Sequence, residues 1–160
     1  SHINLVDIGF KGMGELLPLV SIVLLSLALG ASLQILGTGL FVAGIVGEAL
    51  PVIMIVPMLF LASSVMAFTT GTSFGTFAMM IPIGVPLIQM LGLPPAFVIS
   101  AILGGGVFGD HCSPISDTTM ISSVASGCDL LDHVKTQLPY ALVGGGLTFV
   151  AYIITGLFVL

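Results

Sequence analysis

The chain has 160 residues, 57% of them hydrophobic and only 6% charged, with a formal net charge of −5. Soluble domains carry roughly a quarter charged residues, so this chain cannot clothe itself for water and its expected partner is a lipid bilayer. Two basic residues exclude a nucleic-acid surface. Two cysteines without a C-x-x-C pair provide neither a disulfide framework nor a zinc site.

Residues 1–15 are mixed in character and read as a polar lead-in. They lack the basic start of a secretory signal. Residues 16–48 are too long for one plain span, and Gly30 to Gly39 include Ser32, Gln34, Gly37 and Thr38. That pattern predicts a long interrupted span. Residues 51–91 form two apolar arms around TTGTSFGT, 69–76. They read as a re-entrant hairpin with its tip at 69–76, or as two full spans. Pro82 and Pro86 weaken the second arm as a free-standing helix.

Residues 95–126 have the length of one span, broken by an unwound stretch at 109–119. The half before the break, 95–108, is about 21 Å long, less than a hydrocarbon core of about 30 Å. Residues 127–138 read as a polar loop or short amphipathic helix, and Pro139 opens a last span, 139–160. Tyr140 suits the headgroup zone. Small residues four apart (Ala101, Gly105 and Gly109; Ser100 and Gly104) predict close helix packing. The fold class is all-α: a polytopic membrane helix bundle with interrupted helices, forming one transmembrane unit. Lys11 and Lys135 lie on one face if an even number of crossings separates them.

The chemistry concentrates in GDHCSPISDTT, 109–119, which ends a run of 61 residues without Asp, Glu, Lys, Arg or His. A charge at bilayer depth costs about 2.5 to 3.5 kcal/mol. Non-helical backbone at that depth is tolerated only inside protein or beside a watery cavity. The reading is therefore an unwound element buried near mid-bilayer. There Asp110, Asp117, Ser113, Ser116, Thr118 and Thr119 offer oxygens to a small cation. Interrupted helices are where secondary carriers bind ions. A carboxylate that takes either a proton or a sodium ion is the minimal chemistry of exchange. His111 is a candidate proton relay or a hydrogen-bonded filler. Ser116 or Asp117 alternatively caps the next helix, and Asp110 alternatively ends a helix in solvent. The hydroxyls of 69–76, chiefly Thr70, Thr72 and Ser73, form a second candidate site, or else a plain turn between spans.

FTTGTSFGTFAMMIPI (68–83), GGVFGDHCSPISDTTMISS (105–123) and GCDLLDHVKTQLPYAL (127–142) resemble the C-terminal half of NhaC-type sodium/proton antiporters. The resemblance implies half of an inverted-repeat transporter in the cell membrane, with a matching N-terminal half elsewhere. It implies that Thr70, Thr72, Ser73, Asp110, Ser113, Ser116, Asp117, Thr118 and Thr119 line the ion path. Sodium ion and proton are the transported species, with no cofactor and no metal beyond sodium, and a homo-oligomer is allowed. The absence of an initiator Met and the apolar end at FVL add the expectation of a fragment. Other members couple sodium or protons to small organic acids such as malate or lactate, which is the alternative transport reading. A non-transporting assembly or metal-binding element, using Asp110, His111 and Cys112, is the alternative of another class. No nucleophile stands at a defined spacing from an activating base, so no enzyme is expected.

Overall fold

The computed structural model describes residues 2–160, except the side chains of residues 2, 3, 15, 16, 18, 19, 22, 23, 26 and 124. Its order is α1 (His2–Ile35), α2 (Thr38–Ala49), α3 (Val52–Thr70), α4 (Ser73–Leu91), α5 (Pro95–Cys112), α6 (Asp117–Ser126) and α7 (Leu130–Val159), with no strand among the described residues. The protein is an all-α membrane bundle. Helices α3, α4, α5 and α7 are each long and apolar enough to cross a bilayer. The end of α1 and α2 pass the same test as a pair, bent by 71° at their break. This break falls at Leu36 and Gly37, inside the interruption expected at 30–39.

Helices α3 and α5 are the tightest pair. A Cβ added at Gly105 would overlap the Phe60 carbonyl, and one at Gly109 would overlap the Ser64 carbonyl. The 60–105 and 64–109 pairings advance together, so α3 and α5 run parallel. Gly106 meets Phe77 and Gly84 meets Ile102, so α4 returns antiparallel to both. Helices α3 and α4 are therefore a hairpin turning at Gly71 and Thr72. Gly145 on α7 meets Phe108, and Tyr152 reaches Gly104, so α7 also runs against α5. Phe60, Ile55, Val56, Leu87, Val98 and Ile102 fill the core between these helices. Gly105→Ala is expected to force α3 and α5 apart and destabilise the bundle by about 1–3 kcal/mol, read as a lower midpoint of thermal unfolding.

The prolines of α4 lie inside the helix, which spans them unbroken. Each leaves unbonded the carbonyl four residues earlier, which here means Ala78 and Pro82. Those two carbonyls face Gly30 and Gly39, where an added Cβ would approach to 2.5 and 2.7 Å. The bent α1–α2 pair thus lays its glycines over the acceptors that the prolines free.

Three boundaries differ from the sequence reading. Residues 2–15 are helical rather than a lead-in, continuous with α1; mixed polarity does not end a helix where no stop signal is met. Helix α5 runs four residues past 108 to Cys112, about 27 Å in all. It ends there because a residue before proline avoids the helical region, and Ser113 is extended (φ −81°, ψ 127°). The unwound stretch is thus 113–116, shorter than 109–119. Finally, α7 begins at Leu130, capped by Asp129, whose Oδ1 accepts from the Leu131 and Asp132 amides at 2.9 and 3.4 Å. Most of the expected polar loop 127–138 is its first turns, and Pro139 is carried inside.

Candidate functional site

The two hydroxyl-rich breaks meet. Gly71, at the tip of the α3–α4 hairpin, packs on the backbone of Ile115, in the middle of the α5–α6 break. A Cβ at Gly71 would stand 2.7 Å from the Ile115 carbonyl oxygen. Residues distant in sequence thus form one polar patch. Thr72, Ser73, Thr76, Ser113, Ser116, Thr119 and Asp110 are all buried there or beside it.

Asp110 is the buried acid, with 2% of its surface exposed. Its Oδ2 accepts from Thr118 Oγ1 at 2.9 Å. With Thr118 donating to the carboxylate, Ser116 Oγ donates to Thr118 at 2.9 Å. Ser116 Oγ in turn accepts from the Thr119 amide at 3.2 Å, which makes Ser116 the cap of α6. A directed chain therefore runs from the start of α6 to Asp110. The other oxygen, Asp110 Oδ1, is buried with no hydrogen-bond partner among the described residues, as is Ser63 Oγ. Among the described residues the one ion pair is Lys135–Asp132, on the surface, with an N···O distance of 3.6 Å. Asp110 has no such counter-charge among the described residues.

The remaining expected residues divide in two. Asp117 is half-buried in the first turn of α6, its Oδ1 accepting the Thr118 amide at 2.8 Å. No hydrogen bond joins it to Asp110 among the described residues. Its position suits the positive end of α6. Ser113 is fully buried and accepts the Ile115 amide at 3.3 Å. In the hairpin, Thr70 is exposed and donates to the Met66 carbonyl at 2.8 Å. Thr72 caps α4 by accepting the Gly75 amide at 3.4 Å. Ser73 is buried at the start of α4. His111 is exposed, and its Nδ1–H donates to the Val107 carbonyl at 2.7 Å, leaving Nε2 free in the neutral ring. No group of three or more His, Cys, Asp or Glu is placed to share a metal ion among the described residues.

The break does not lie midway along the apolar slab. Gly109 and Cys112 line one groove with Leu138 and Leu142 of α7. The charge-free part of α7 begins at 136, and α7 runs against α5, so the break at 113–116, just past Cys112, lies close to that boundary. Extension of α5 to Cys112 is what carries it there. Sequence reasoning also missed Ser63, although Ser63 and Ser64 interrupt an otherwise apolar arm. His133 and Gln137 fall in the stretch 127–138, read as a polar loop or short amphipathic helix, and have no role in that reading. Their i, i+4 spacing places both on one face of α7 once the helix is known to start at Leu130.

Two helix breaks that meet beside a buried acid, inside an apolar helical bundle, define a polytopic membrane protein with interrupted helices. The chain belongs to the Na+/H+ antiporter family, which it matches over residues 3–157. It is 42% identical to a Haemophilus influenzae protein named only as uncharacterized, over 74% of this chain and 23% of that one. It is 38% identical to the malate-2H(+)/Na(+)-lactate antiporter of Bacillus subtilis, over 58% of this chain and 20% of the relative. It is 34% identical to the Na(+)/H(+) antiporter NhaC of Alkalihalophilus pseudofirmus, over 54% and 19%. The chain thus spans about a fifth of the curated relatives it matches. No solved structure matches it.

Proposed function

We propose that this chain supplies the ion site of a secondary carrier that exchanges sodium for protons, with Asp110 as the carboxylate the two cations share. One observation carries the reading: a buried acid with one oxygen bonded to Thr118 and the other bonded to nothing described. An uncompensated buried charge costs several kcal/mol, so the group favours either a proton or a cation beside it. Sodium takes the place of the proton, and exchange follows from that competition. Ser113, Ser116 and Thr119 contribute oxygens or hold the break in shape. Thr72 and Ser73 do the same from the hairpin, and Thr70 lies at its rim. Asp117 is the secondary acid, placed to raise the local negative potential. His111, with Nε2 free, is placed to pass protons.

The carrier sits in the cell membrane, with the remaining helices of the full protein completing the path and a homo-oligomer allowed. The test uses the full-length protein in sealed vesicles carrying a pH-sensitive dye. A sodium jump is expected to drive proton movement in the opposite direction. Absence of any sodium-driven proton flux, with the protein folded and inserted, would sink the reading.

The likeness to a malate/lactate antiporter favours a second reading, coupled exchange of a small organic acid. Proton flux that appears only after malate or lactate is added selects it. Asp110 remains the cation site in that case.

A further inference from the structure

A pocket of about 260 Å3 lies where α5, α6 and α7 meet, lined by His111, Thr118, Thr119, Ser122, His133 and Gln137. Each lining side chain carries a polar group: two imidazoles, three hydroxyls and a carboxamide. The larger cavities, by contrast, are lined mostly by apolar residues. No hydrogen bond joins these six side chains to one another among the described residues. Thr118 is bonded to Asp110 and Ser116, and His111 Nδ1 to the Val107 carbonyl; the remaining polar groups facing this shared space are satisfied by water. At about 30 Å3 per water, the space holds several.

Two further facts give the pocket a direction. Its inner wall includes Thr118, the hydroxyl that bonds Asp110 Oδ2 at 2.9 Å. One rotatable side chain therefore separates the pocket from the buried carboxylate. Its outer wall is His133 and Gln137, in the opening turns of α7, beside the exposed Asp132–Lys135 pair. The pocket thus lies between the charged end of α7 and the hydroxyl that bonds Asp110.

We propose that the pocket is the aqueous vestibule through which cations reach Asp110 from the face that carries Lys135, with Thr118 as its inner gate. The proposal rests on Asp110 being the ion site. A hydrated cation enters among the imidazoles, hydroxyls and carboxamide, exchanging water for their oxygens and nitrogens. The Thr118 hydroxyl then turns from Asp110 and opens the carboxylate to the ion.

The test uses the full-length protein with Cys112 and Cys128 replaced by alanine and Ser122→Cys or, separately, Gln137→Cys introduced. The probe is a membrane-impermeant methanethiosulfonate bearing a fixed positive charge, applied to each face. Lys135→Cys reports the face, and Val150→Cys, half exposed on the apolar stretch of α7, is the lipid-side control. Both pocket cysteines are expected to react from the Lys135 face at rates near that of Lys135→Cys, and Val150→Cys at least tenfold more slowly. Sodium-driven flux measured before and after labelling of the same sample is expected to fall at least tenfold. Failure of both cysteines to react, or reaction that leaves flux intact, overturns the vestibule. Labelling in the Asp110→Asn background separates the two proposals. Reactive cysteines there, together with normal flux in Asp110→Asn alone, would leave a watery pocket and remove the carboxylate as its destination.

Discussion

Asp110→Asn in the full-length carrier is expected to abolish sodium-coupled proton movement without unfolding the protein. Asparagine keeps the volume and an oxygen to accept from Thr118 Oγ1, so the chain from Ser116 through Thr118 survives. What goes is the negative charge and the capacity to bind a proton. A hydrogen bond to a charged group is worth about 1.5–3 kcal/mol, and direct contact with a desolvated ion is at least comparable. Loss of about 3 kcal/mol is roughly a hundredfold in affinity. The thermal midpoint supplies an independent readout. A ligand that binds only the folded state stabilises it by an amount that grows with the logarithm of its concentration above Kd. Sodium is therefore expected to raise the melting temperature of the unsubstituted protein and leave that of Asp110→Asn unchanged. Without sodium, the variant is expected to melt no lower than the parent, because a buried carboxylate with a bare Oδ1 has been neutralised. Asp117→Asn is expected to reduce exchange far less, since Asp117 is half-buried and bonded to the adjacent amide. A sodium-dependent melting shift that persists in Asp110→Asn places the ion elsewhere.

Much of this was legible in the sequence. The membrane class followed from composition, because a chain with so few charges has no other stable surroundings. Both breaks were visible as clusters of glycine and hydroxyls inside apolar runs, although the reading ended the first half of the broken helix at 108, short of the Cys112 end that Pro114 imposes. The contact between the breaks was not legible. Gly71 meets Ile115 because α3 and α5 run parallel and stop at one level, and that depends on tertiary packing. Nor did the motif distinguish its two aspartates. Asp110 lies one turn after Gly106, on a helix face packed on α4, whereas Asp117 follows the break and takes the phase of α6. The start of α7 was obscured for a different reason. Charge at 129–135 and a proline at 139 suggested a loop, while Asp129 gave the stronger local signal by capping a helix that carries the proline inside. That shift put His133 and Gln137 on one face and revealed the polar pocket.

The contact between the breaks gives the second large effect. Gly71→Ala is expected to lower both stability and transport, while Gly92→Ala lowers stability alone and by less. Both glycines have positive φ, 68° and 66°. A residue with a Cβ pays about 1–2 kcal/mol there for left-handed backbone. Around Gly92 there is nothing within 4 Å of an added Cβ, so strain is the whole effect. At Gly71 the same atom meets the Ile115 carbonyl oxygen at 2.7 Å and its carbon at 2.9 Å. Backbone cannot swing aside as a flexible side chain does, so the hairpin tip and the α5–α6 break must part. Overpacking of this kind adds roughly 1–3 kcal/mol. The displacement falls on the residue next to Ser116, whose hydroxyl caps α6 and feeds Thr118 and Asp110. Sodium-driven flux in Gly71→Ala is therefore expected to drop at least tenfold, at a temperature where the variant is still folded. Gly92→Ala, compared at equal distance below its own melting point, keeps its flux. Equal losses of stability with flux retained in both would mean that the two breaks do not move as one unit. In that case the hairpin is a support for the bundle and not a wall of the ion site.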